Sequence, residues 1–151
     1  MSINYGTPDL TQHPPRSPRL RLGGYVILAR ALDKGRASLA GKLGEYHFNC
    51  PLDKRFLAFT GIDADALLAQ LKQGKGDGEI LEWISQASTT KPTPWAIAQW
   101  SAYYEQRAAD SVEARQRALT QLTALGPKRG DVLTAFDLLD LDDYATFGGR
   151  V

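Results

Sequence analysis

The stretch LGGYVILARALDKGRASLAG, Leu22 to Gly41, decides how the chain is read. Tyr25, Leu28, Leu32 and Leu39 recur at three- to four-residue spacing, while Arg30, Asp33, Lys34 and Arg36 fall largely on the opposite side. A half-buried strand would alternate at every second residue, so this period belongs to a helix with one apolar face. The spacing predicts an amphipathic helix from about Gly24 to Leu39.

Toward the C-terminus the same kind of punctuation repeats. Asp53 is read as the cap of a short helix KRFLAF, with Leu52 and Leu57 in the positions of a hydrophobic staple. Asp63 is placed likewise between Ile62 and Leu67, and Gly74 supplies a left-handed stop. Asp77 is the expected cap of a helix bearing Ile80, Leu81 and Ile84. Thr93 followed by Pro94 starts another, carrying Ile97, Trp100 and Tyr104 and running to Ala109. Asp110 and Glu113 are read as a capping-box-like pair ahead of Leu119, Leu122 and Leu125, Gly126-Pro127 closes that helix, and Thr134 caps a last one, AFDLLDLDDY. Six or seven short helices joined by turns make an all-α fold, a compact bundle with at most a short extended segment near residues 44–50.

Toward the N-terminus the helical signal stops. Pro14, Pro15 and Pro18 exclude helix, so residues 1–21 read as an extended arm. Leu20 and Leu22 alternate with Arg19 and Arg21, which predicts that residues 14–22 lie ordered against the helices. At 151 residues the whole is expected to be a single domain, long enough to bury about 70% of its unfolded surface. The longest apolar run, Tyr25 to Ala29, is too short to span a bilayer, so no membrane association is expected. The first ten residues lack the basic start and apolar core of a secretory signal, and one cysteine makes no internal disulfide, so the expected location is cytoplasmic.

Net charge is +1, yet residues 1–42 hold seven Lys/Arg against two Asp/Glu, while Asp131, Asp137, Asp140, Asp142 and Asp143 crowd the C-terminal end. The plain reading of this asymmetry is that opposite charges face one another across the fold or simply keep two surfaces solvated. With a pI near 7.8 and no basic stripe interleaved with aromatics, nucleic acid is not an expected partner.

The segment GEYHFNCPLD, Gly44 to Asp53, holds the single cysteine and one of two histidines. In an extended segment Tyr46, Phe48 and Cys50 share one face and Glu45, His47 and Asn49 the other. Cys50 is therefore expected to be a buried thiol turned away from His47. Glu45 and His47, on one face, form a candidate acid–base pair for catalysis near neutral pH. No metal site is expected, because two groups do not complete a coordination sphere and the spacing fits no zinc pattern. Arg16, Arg19 and Arg21 lead to Gly23 and Gly24 at the expected start of a helix. There, backbone N–H groups and guanidinium groups together suit a phosphate or carboxylate.

PPRSPRLRLGGY, LDKGRA, GEYHFNCPLD and the following FTGID, in that order and spacing, resemble a mostly bacterial family known only as a domain of unknown function. The match is good over residues 9–87 and looser in the C-terminal helices. The resemblance implies a small soluble bacterial domain and carries no activity, cofactor or catalytic residue with it. The expectation drawn from the residues is a domain that takes an anionic small molecule, with Arg16, Arg19, Arg21, Gly23 and Gly24 binding it and Glu45 and His47 available for chemistry. The alternative is a non-catalytic protein–protein interaction module. A cofactor, an oligomeric state and a reaction class are not readable.

Overall fold

A computed structural model describes residues 2–151, which form seven helices and no strand, with one isolated bridge between Leu22 and Tyr25. The helices are α1 (Leu28–Leu39), α2 (Pro51–Thr60), α3 (Ala64–Lys72), α4 (Asp77–Ala87), α5 (Pro94–Gln106), α6 (Val112–Leu125) and α7 (Ala135–Thr146). None of them is long and apolar enough to cross a membrane.

Three of the expected caps are in place: Asp63, Thr93 and Thr134 each accept a hydrogen bond from a backbone N–H three residues on. Gly74 adopts φ +80°, the left-handed conformation that ends a helix. Two other caps are corrected. Asp53 lies inside α2, which starts at Pro51, and Gly76 rather than Asp77 precedes α4. In both cases the carboxylate is drawn to a cation on another segment. Ser111 rather than Asp110 caps α6, and α5 ends at Gln106, short of Ala109.

The larger correction concerns α1. It starts at Leu28, four residues later than its periodicity suggests. Gly23 (φ +60°), Gly24 (φ +85°) and Ile27 (φ +72°) are left-handed there, and such residues turn the chain rather than wind it. The turn is closed by paired backbone hydrogen bonds between Leu22 and Tyr25, both 3.0 Å. Ser101 of α5 pins it by donating to Gly24 O (2.6 Å) and accepting from Val26 N (3.1 Å). Beyond the turn every residue from Leu28 to Ala37 is buried, the charged ones included. α1 is thus the central helix of the bundle. Leu28 and Leu32 join Val26, Ile27, Phe56, Leu67, Leu71, Ile80, Ile84 and Phe136 in the core.

The arm covers one side of α1. Pro15 and Pro18 are buried, Ile27 N donates to Pro18 O (2.9 Å), and Leu10 is anchored by its N–H to Lys42 O (2.9 Å). It is extended through residues 14–17 and turns at 18–19; Leu22 packs on the core, but Leu20 stays exposed.

Candidate functional site

Four ionisable side chains of α1 are buried, and each meets an opposite charge from a distant part of the chain. Arg30 donates to Asp143 through both terminal nitrogens (2.7 and 3.2 Å), and Tyr46 Oη donates to the same carboxylate (2.7 Å). Asp33 takes the Arg16 side chain (3.0 Å) and also the Arg16 backbone N–H (2.9 Å). Lys34 Nζ lies 2.8 Å from Asp53 Oδ1, and Arg36 lies 2.9 Å from Asp77. An unpaired charge in such surroundings costs several kcal/mol, about 3–5 when one partner is removed, so the pairs are obligatory to one another.

The arginines expected to bind an anion belong to this network or its rim. Arg16 bridges Asp33 and Asp77. Arg19 is held by Asp137 and, at 2.9 Å, by Asp140, to which Ser17 Oγ also donates (2.8 Å). Arg21 forms a two-pronged pair with Glu105 (2.9 and 3.0 Å). Burial opposes the charge of Arg16 and Arg19, but their aspartate partners outweigh it and raise both guanidinium groups above their ordinary value. The hydrogen bonds from Arg16 and Arg36 overcome the upward push of burial on Asp77 and hold its carboxyl below the usual range. Gly23 and Gly24 serve the turn. A Cβ on Gly23 would stand 2.4 Å from Leu81 Cδ2, and one on Gly24 3.2 Å from Ile97 Cγ2.

Residues 44–50 form turns rather than a strand, yet the alternation of faces holds. Tyr46 reaches Asp143 and Phe48 packs on the core, while Glu45 and His47 are exposed and without a hydrogen-bond partner among the described residues. Cys50 points away from that face, as expected, but is only partly buried. Its Sγ accepts from Lys34 Nζ at 3.1 Å. Arg19 lines a cavity with Arg129 and Arg150 that neither Arg21 nor His47 reaches. Nor do any three His, Cys, Asp or Glu side chains group as a metal would need among the described residues.

A larger and more apolar cavity lies elsewhere, in a part of the chain read only as helix. α6 leans on α7, and no residue of α6 is buried. Between α6, α7 and the segments before each of them runs a groove of about 670 Å³. Its floor is Leu122, Val132, Leu138 and Leu139, and Ala114, Ala118 and Ala135 are too small to fill it. Its only charged residues are Arg107, Arg115 and Arg117; no carboxylate lines it. Arg107 pairs with exposed Asp110 (3.3 Å) and Arg115 Nε donates to Ala109 O (3.2 Å), while Arg117 has no hydrogen bond or ion pair among the described residues. The signal that sequence reading passed over was a run of small residues and arginines, Arg107 to Ala118, in which the apolar stripe is thin.

The chain belongs to a family described as a domain of unknown function, DUF5069, whose model matches residues 12–145. The match spans the second half of the arm, the central helix and the groove. No curated protein matches the chain.

Proposed function

We propose that this domain binds an anionic small molecule with an apolar body, such as an acyl carboxylate, in the groove between α6 and α7. The observation that carries the reading is a mainly apolar cleft of about 670 Å³ whose charged lining consists of three arginines and no acid. Ligand sites are commonly concave and apolar, of about 300–1,000 Å³, with a few polar groups to orient the ligand. Arginine suits the orienting role because its planar fork matches a carboxylate and never loses its charge.

The arm is the weaker place for such a ligand, since an anion there would have to displace Asp33, Asp77, Asp137, Asp140 or Glu105 from Arg16, Arg19 and Arg21. A second reading, the interaction module, is favoured by the exposure of Leu119 (65%) and Leu133 (73%) on the groove itself. On that reading the occupant is an amphipathic helix bearing acidic residues.

A thermal-shift series of straight-chain carboxylates and matching alcohols tests the first reading, because a ligand that binds only the folded state raises Tm. The carboxylates are expected to stabilise more than the alcohols, and the difference to vanish in Arg115→Ala/Arg117→Ala. Equal effects of acid and alcohol, or an undiminished difference in the double variant, would overturn it.

A further inference from the structure

Away from the groove, three reactive groups converge where α1 meets the start of α2. Lys34 Nζ, on a side chain only 4% exposed, lies 3.1 Å from Cys50 Sγ and 2.8 Å from Asp53 Oδ1. The Asp53 side chain is 1% exposed, and neither of its oxygens makes a hydrogen bond; the approach of Lys34 meets the distance but not the angle of one. A buried carboxylate paired only by charge is unusual, since such groups are ordinarily saturated with hydrogen bonds. Cys50, by contrast, is partly exposed. Cys50 thus borders on solvent, from which an oxidant would come, while the Lys34 side chain behind it stays sheltered.

We propose that Cys50 is an oxidative modification site whose product is a covalent nitrogen–sulfur bond to Lys34, with Asp53 as the proton acceptor. The oxidant is a hydroperoxide. Cys50 Sγ attacks one peroxide oxygen, an S–O bond forms as the O–O bond breaks, and the sulfur gives up two electrons. The thiol proton leaves with the departing hydroxide as water, and a sulfenic acid remains. Lys34 then passes a proton to Asp53, and its freed lone pair attacks the sulfenyl sulfur. An N–S bond forms, the S–O bond breaks, and the hydroxide takes a second proton from the nitrogen and departs as water. Asp53 keeps the first proton. The ion pair is replaced by a neutral carboxyl beside a neutral sulfenamide, so no uncompensated charge is left in the interior. A thiol reductant reverses the link by attacking the sulfur and returning the amine. The protein as a whole loses two hydrogen atoms.

The test is hydrogen peroxide treatment of the folded full-length protein at neutral pH, followed by proteolysis and mass spectrometry. The expected product is one cross-linked peptide joining Lys34 to Cys50, lighter by two hydrogens, reversed by a thiol reductant and missing in Cys50→Ser. Lys34→Arg keeps the charge opposite Asp53 and so guards against a loss due only to misfolding. It should form no link and give more dimedone-trapped sulfenic acid than wild type. Three outcomes would overturn the proposal: a Cys50 that peroxide leaves unmodified, oxidation to sulfinic or sulfonic acid with no linked peptide, or a link that retains an oxygen atom. Equal dimedone trapping in wild type and Lys34→Arg would do the same.

Discussion

Removing Asp143 should damage this fold severely, and the burial of its partner Arg30 sets the scale. Asp143 is the sole carboxylate among the described residues in hydrogen-bond contact with Arg30, whose side chain is 4% exposed, and it also receives Tyr46 Oη at 2.7 Å. Asp143→Ala leaves a guanidinium ion in the interior with no counter-charge in contact, the situation that costs about 3–5 kcal/mol. For a domain of this size about 2–4 °C accompanies each kcal/mol, so Tm should fall by roughly 6–20 °C. Urea unfolding at neutral pH, followed by tryptophan fluorescence, measures the free energy directly. The double variant Arg30→Met/Asp143→Leu supplies the control. With both charges gone it should recover most of the loss, because a buried pair exchanged for apolar groups is often neutral or better. A loss below about 1 kcal/mol in Asp143→Ala, the range of exposed pairs, would refute the claim that the charge of α1 is buried.

Three further outcomes are expected. Asp77 titrates below its ordinary range in the folded protein, so the unfolded chain binds the proton first. Its stabilisation is full above the ordinary carboxylate range and is lost as pH falls through the depressed value. Urea midpoints taken between about pH 5 and pH 2 should therefore fall less steeply in Asp77→Asn than in wild type. Gly61 ends α2 at φ +69°, and an added Cβ would lie 1.8 Å from Thr89 Oγ1, so Gly61→Ala should cost more than the 1–2 kcal/mol, roughly, of the left-handed backbone alone. Leu119→Asp, at a position 65% exposed, should change stability by no more than about 0.5 kcal/mol, yet abolish stabilisation by carboxylates, which separates binding from folding.

The helices were legible because their start signals are local. Asp63, Thr93 and Thr134 act on N–H groups three residues away, and a reader of the sequence sees both ends of each interaction. Asp53 and Asp77 look the same locally but are taken by Lys34 and Arg36, so their caps were misplaced. The burial of α1 was hidden for the same reason. Arg30, Asp33, Lys34 and Arg36 have the period of a solvated face, and nothing nearby in sequence shows that Asp143, 113 positions on, covers Arg30. The charge asymmetry between the ends of the chain was visible, and part of it is ion pairing with α7: Arg19 of the arm with Asp137 and Asp140, and Arg30 of α1 with Asp143. The groove left no such trace, since it arises from what alanines fail to fill between α6 and α7, helices far from the arm in sequence.

The central claim, that an anion enters the α6–α7 groove and not the arginine-rich arm, is tested most directly by NMR titration of the isotope-labelled chain with decanoate. The account predicts saturable shifts centred on the amides of Leu119, Leu122, Leu138 and Leu139 and on the Arg115 and Arg117 side chains, with residues 16–24 unmoved. Shifts centred on Arg16, Arg19 and Arg21, or none that saturate, would contradict it.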